Sequence, residues 1–218
     1  MAGKREEILE VAARLIHYRG FNHTSLDQIL QESKVTKNLF YYHFKSKEEL
    51  GMAILDYQAE RAQAQLFGPA LQGEGDPHQR IFRLLDRVLE AAQASDCRGG
   101  CPIGNLALEL SDIHEGFRQR TQEIFGRLAS QIETVLEELR AAGRLQEGVE
   151  PKELALFILA NLQGARLLGK TYRAPQVLAT CFERLKDHLN QLFGIGAGQA
   201  PESPRRGGES PSVSQNPA

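Results

Sequence analysis

Between Lys34 and Lys47 the chain reads Lys-Val-Thr-Lys-Asn-Leu-Phe-Tyr-Tyr-His-Phe-Lys-Ser-Lys, with four lysines and no carboxylate. The local charge is therefore +4, while the whole chain of 218 residues carries a formal charge of -2. Thr36 is placed to cap a short helix running through about His43; its hydroxyl can accept from a free first-turn N–H. Just upstream, Ser25-Leu26-Asp27-Gln28 forms a capping box that opens another short helix ending near Ser33. Two short helices joined by a turn of about three residues are the helix-turn-helix arrangement, whose second helix enters the major groove of DNA.

The side chains at that position suit the task. Thr36, Lys37 and Asn38 offer a hydroxyl, an ammonium and an amide at the start of the second helix. Those groups match phosphates, guanine edges and adenine edges. Tyr41, Tyr42 and His43 add donors and flat surfaces one turn later, and Lys47 stands in the first turn of the next helix, beside N–H groups that favour a phosphate. With Ser25 at the first cap, these eight residues are the expected DNA contacts.

Outward from this segment the chain reads as all-α, with about nine helices. A first helix from about Lys4 to Arg19 carries an apolar stripe of Ile8, Val11, Ala12, Leu15 and Ile16, and Gly20 suits its left-handed stop. Ser46-Lys47-Glu48-Glu49 reads as a second capping box opening a helix to roughly Leu66. Residues 68 to 77, rich in glycine and proline, are expected to be a loop or domain joint. Further helices are expected from Pro77 to about Ala94, Pro102 to Asp112, Glu115 to Ala142, Pro151 to about Leu168 and Pro175 to about Phe193. The domain division is thus 4–64 for DNA binding and 76–193 for a larger helical domain. Residues 194–218, mostly Gly, Pro, Ser, Ala and Gln, are expected to be a disordered tail.

Composition narrows the alternatives. No apolar run approaches the ~18 residues of a membrane span, and the N-terminus lacks a signal peptide's apolar core. The expected location is the cytoplasm, where Cys97, Cys101 and Cys181 start as thiols. Cys97 and Cys101 stand wider apart than a zinc knuckle and no second ligand pair follows, so no metal is expected, and no cofactor. There is no phosphate-binding loop, nucleophile elbow or His-Glu-x-x-His, which argues against an enzyme. An all-helical enzyme with a DNA-binding appendage is the rival class. A purely architectural DNA binder would leave the large second domain without a task.

Residues 5 to 50 resemble the DNA-binding domain of the TetR family. The resemblance rests on Gly20-Phe21, Thr24-Ser25, Ile29 and the ordered run from Val35 through Tyr41, His43-Phe44, Ser46-Lys47-Glu48 and Leu50. Asn38 and Phe40 depart from the family's usual glycine and leucine, so the operator sequence cannot be borrowed from relatives. Gly100-Cys101-Pro102-Ile103-Gly104-Asn105-Leu106-Ala107-Leu108-Glu109-Leu110 is similar to a segment of one broad branch of that family. The resemblance implies a ligand-released repressor that binds a palindromic operator in double-stranded DNA as a homodimer, through a bundle of its last two helices. It also implies a small-molecule inducer in a cavity of the larger domain, with Leu106, Leu110, Phe117, Phe125, Phe157 and Asn161 as expected lining residues.

Two further expectations come from the residues themselves. Phe157, Ile158, Leu162, Val177, Phe182, Leu185 and Leu189 recur at helical spacing and are the expected dimer contacts, unless they all point inward. Cys101, just before Pro102, stands at a helix N-cap where backbone N–H groups stabilise a thiolate. It is the candidate redox or electrophile sensor, with Cys97 as resolving partner and Arg98 adding positive charge; the alternative is a small buried hydrophobe at a tight helix start.

Overall fold

The computed structural model describes residues 3–194. The expected tail from residue 195 onward lies outside them. The described residues form helices α1 (Lys4–Arg19), α2 (Leu26–Ser33), α3 (Lys37–His43), α4 (Lys47–Ala62), α5 (Gly68–Leu71), α6 (Pro77–Gln93), α7 (Pro102–Leu110), α8 (Glu115–Ala141), α9 (Pro151–Tyr172) and α10 (Pro175–Leu192), with a π-helical turn at Gln63–Phe67. Because α4, the π turn and α5 run on without a break, the described residues contain nine helical rods.

Residues 68 to 71 therefore form helix where the sequence suggested loop, and the reason is local. Pro69 has no N–H and its ring would clash with the carbonyl four residues back in a regular α-helix. Here the backbone widens, Gly68 donating to the carbonyl of Gln63 five residues back. The carbonyl of Gln65, which Pro69 cannot serve, accepts instead from Arg87 Nη1 at 3.2 Å. Ala70 and Leu71 are buried at the far end of the rod. In a similar way α9 runs one turn past Leu168, until Arg173 takes a left-handed conformation (φ +52°) that stops it.

The head, α1 to α3 with the start of α4, closes around Ile8, Ala12, Ile29, Phe40, Phe44 and Leu50. The body packs α6, α8, α9 and α10 around Ile81, Leu85, Ile132, Leu136, Ile158 and Leu189. Arg80 is buried in the body and spans α6 to α8, donating to both carboxylate oxygens of Glu138 at 2.6 and 3.1 Å and to the carbonyl of Leu71 at 2.9 Å.

Head and body meet at α7. The rings of Phe21 and Phe117 lie edge to face, 5.4 Å apart, above Gly51. A methyl group at Gly51 would stand 2.6 Å from one ring and 2.7 Å from the other, so α4 needs glycine at this crossing.

Candidate nucleic-acid interface and interdomain crevice

The helix-turn-helix owes its local structure to three hydroxyl caps. Ser25 accepts from Gln28 N at 3.2 Å, and Gln28 Oε1 accepts in return from Ser25 N at 2.9 Å. Thr36 accepts from Leu39 N at 3.2 Å, and Ser46 accepts from Glu49 N at 3.1 Å. At the third cap Glu49 reaches one residue further back than a capping box requires, to the N–H of Lys45 at 2.9 Å. Lys34 bridges α2 and α3 in the left-handed region, at φ +52°.

These caps leave one face of α3 open. Thr36, Lys37, Asn38, Tyr41 and Tyr42 are all exposed, Tyr42 at 81%, while Phe40 and Phe44 anchor the opposite face in the core. Ser25 is exposed at the start of α2. His43 is half-buried, with its ring against Tyr42. Lys47 points inward: its Nζ donates to the carbonyl of Phe21 at 2.6 Å and lies 4.3 Å from the centre of that residue's ring. Burial pushes its pKa below the ordinary value of 10.5, with Glu48 and Glu109 acting the other way. It is thus a brace within the head in this state.

The six residues expected to line one ligand cavity are not brought together. Leu106, Leu110 and Phe117 are close-packed core, and Phe125 is half-buried against the same core. Phe157 lies on the outer surface of α9, 46% exposed. Asn161 bonds back to the carbonyl of Phe157 at 2.9 Å, which satisfies its amide. The physical reason is density: the long apolar side chains of α7 and α8 fill the space the cavity would need.

The large concavity lies elsewhere. A crevice of about 860 Å³ opens between α1 of the head and the body. Its walls include Arg14 and His17 from α1, Tyr57 and Arg61 from α4, Arg98 and Cys101 from the segment before α7, and Arg166 from α9. His17 Nε2 is 3.3 Å from the carbonyl of Gly100, and Arg166 Nη2 donates to the same carbonyl at 2.9 Å. Burial lowers the pKa of His17 below 6.5, the carbonyl of Gly100 opposes this, and the charges of Arg166 and Lys170 add to the lowering. Gly99 closes in so tightly that a Cβ there would meet the His17 ring at 2.5 Å. Sequence reasoning singled out Cys101 and Arg98 but missed Arg14, His17, Tyr57, Arg61 and Arg166, which come from segments brought together only by the tertiary fold.

Cys101 caps α7 as expected, its sulfur accepting from Gly104 N at 3.3 Å. Its side chain is buried, 9% exposed. The glycines beside it pack against His17 and Lys170. Cys97 is also buried, and burial, together with Asp96, pushes its thiol pKa up, away from the thiolate.

The expected dimer contacts also need correcting. Ile158, Leu162, Phe182, Leu185 and Leu189 are buried within the single chain and Val177 is half-buried, leaving only Phe157 exposed. The exposed apolar stripe on α9 runs instead through Leu156, Phe157, Leu167, Leu168 and Tyr172. Among the described residues no helix is long and apolar enough to cross a membrane, and no group of His, Cys, Asp and Glu could hold a metal ion.

Comparison with known proteins agrees with the all-helical fold and its N-terminal helix-turn-helix. Residues 8–54 match the family described as bacterial regulatory proteins, tetR family, and residues 77–185 match the tetracyclin repressor-like C-terminal domain. An uncharacterized HTH-type transcriptional regulator from the lacX 3′ region of Lactococcus lactis is 33% identical over 188 residues, covering 86% of this chain and 94% of its own. The HTH-type transcriptional repressor NemR of Escherichia coli K12 is 27% identical over 183 residues, 84% of this chain and 92% of its own. A crystal structure of a TetR transcriptional regulator from Chloroflexus aurantiacus superposes with a TM-score of 0.78 at 28% identity, covering 86% of this chain and 94% of that one.

Proposed function

Since the chain belongs to the TetR family of helix-turn-helix regulators of transcription, we propose that it is a repressor released from a palindromic operator by a small molecule. The observation that carries this reading is the open face of α3: Thr36, Lys37, Asn38, Tyr41 and Tyr42 exposed together on a helix anchored from behind by Phe40 and Phe44. Side chains at the N-terminal end of such a helix reach base edges, and neighbouring donors hold phosphates.

The operator is read by two copies related by a two-fold axis, with half-sites about one helical turn apart or somewhat more. The α9 stripe of Leu156, Phe157, Leu167, Leu168 and Tyr172 supplies the apolar surface that a second copy covers. An effector that favours a head position unsuited to the DNA weakens operator binding, and DNA weakens effector binding by the same factor. Nothing in this scheme calls for catalysis or a cofactor.

A second reading has the effector act covalently at Cys101, and the observation in its favour is that this residue lines the crevice between head and body. Operator affinity before and after mild peroxide or a quinone, in wild type and Cys101→Ser, separates the two. Selection from random duplex DNA followed by gel-shift titration tests the main reading. A palindromic consensus bound two chains at a time is expected, and failure to enrich any sequence would sink it.

A further inference from the structure

We propose that the crevice between α1 and the body is the effector site, and that it takes an organic anion: a carboxylate, sulfonate or phosphate on an apolar or aromatic body. This rests on the reading of the protein as a ligand-released repressor and specifies where and what the ligand is.

Volume comes first. About 860 Å³ is within the range of roughly 300–1,000 Å³ that small-molecule sites occupy. Charge comes second. Arg14, Arg61, Arg98 and Arg166 reach the concavity from α1, α4, the segment before α7, and α9, against Glu10 as the one acid in its wall. Arg14 has Glu32 at 3.7 Å. Among the described residues, no carboxylate lies within 4.0 Å of Arg61, Arg98 or Arg166. Solvated arginines scattered over a surface are ordinary, but here four chain segments turn them toward one hollow. Their planar forks suit an oxyanion held bidentately.

Between these charges the wall mixes polar groups, Gln58, Gln65, Ser95 and Gln163, with apolar and aromatic ones. Val11, Leu66, Phe67, Ile103 and Leu128 supply aliphatic and aromatic surface, and Tyr57 lines it with Arg61 5.6 Å from its ring centre. Such a combination favours an amphiphilic anion over an inorganic ion or a neutral apolar molecule. The pKa of His17 is lowered chiefly by burial, and the positive charges of Arg166 and Lys170 add to the lowering.

The location gives the ligand leverage. Arg14 and His17 belong to the head, whereas Arg98 and Arg166 belong to the body. An anion gripped by both sets fixes the angle between them, and that angle sets where α3 lies.

The test uses the full chain and two dyes with the same ring system. 8-Anilinonaphthalene-1-sulfonate carries the anion, and N-phenyl-1-naphthylamine lacks it. Both brighten when they leave water, and the chain has no tryptophan to complicate the signal. The sulfonate is expected to bind at one site per chain, about tenfold or more tighter than the neutral dye, because of charge-assisted contacts. Arg98→Gln and Arg166→Gln should each weaken the sulfonate about five- to tenfold and leave the neutral dye unchanged. Arg166 also holds the Gly100 carbonyl, so Arg98, which makes no such bond, is the cleaner arm. Equal affinity for the two dyes overturns the proposal. So does sulfonate binding that both substitutions leave intact, as dye held on the α9 stripe would. Selected DNA binding by the unliganded protein is measured separately, so failure of the repressor reading and failure of this site are distinguishable.

Discussion

The carboxylate of Glu109 on α7 accepts from two successive backbone N–H groups in the head, Phe21 at 2.8 Å and Asn22 at 2.7 Å. It thereby clamps the body to the turn that leads into the helix-turn-helix. At the other end of α7, Asn105 Nδ2 donates to the carbonyl of Gly99 at 2.7 Å and lies 3.4 Å from that of His17. The orientation of the head is therefore held at two points by one helix.

Removing the clamp should show in both stability and DNA binding. Glu109→Ala leaves two N–H groups without their shared acceptor, which costs about 1–3 kcal/mol. Glu109→Gln retains acceptor capacity on one oxygen and should cost less. Urea unfolding measures the first effect. A gel shift with selected DNA is expected to show weaker binding by Glu109→Ala, because the head samples more orientations.

On the surface proposed to face DNA the roles of the lysines differ. Lys37→Ala and Asn38→Ala should change sequence preference at about 1–3 kcal/mol per lost base contact, with unfolding nearly unaffected because both side chains are exposed. Lys47→Ala should lower the thermal midpoint of the protein as well as its affinity for every sequence, since Nζ is bonded to Phe21. A selection experiment paired with a melting curve for each variant separates these outcomes.

Association through α9 predicts that Leu167→Glu, placed in the exposed stripe, yields a monomer at micromolar concentration by light scattering. Interfaces of this permanent type commonly bury about 2,000 Å² or more, and a charge at the centre is poorly tolerated. Truncation after residue 195 is expected to leave the dimer intact, as the tail's composition offers little to pack.

Acid should weaken the fold in a defined window. His17 and His78 both have pKa values lowered from 6.5, each chiefly by burial. His78 lies between the rings of Phe82 and Phe193, where Asp76 pulls the other way. A histidine with a depressed folded pKa binds fewer protons than it does in the unfolded chain, so stability rises with pH. The loss begins as pH drops through the ordinary value of 6.5 and is complete below the lowered one. Thermal melts from pH 8 to 5 should show this decline, and His17→Gln should flatten it; a melt independent of pH would contradict it.

What was legible in the sequence was local. Ser25, Thr36 and Ser46 announce three helix starts because a cap needs only its own next turn, and all three hydroxyls accept the expected N–H. Cys101 at the start of α7 was legible for the same reason. The burial of its sulfur was not, since burial depends on the tertiary packing and not on the next turn of helix. Ile158 and Phe157 are neighbours with equal claims to either side of α9; packing against α8 and α10 turns the first in and the second out. The crevice was invisible because none of its arginines belongs to a motif.

The uninterrupted rod from Lys47 to Leu71 makes the head a lever arm. Twenty-five residues at 1.5 Å each give a length of about 37 Å. A tilt of roughly 5° about the buried Leu71 end would carry the Lys47 end by about 3 Å over that length. In a two-fold dimer the two heads swing in opposite senses, so their spacing changes by up to about twice as much, roughly 6 Å. A hydrogen bond stretched to about 3.6 Å is no longer one, so even the single-head displacement breaks base contacts. Rearrangement at the hinge can therefore be small, and the rod amplifies it mechanically into a mismatch with the periodicity of the double helix.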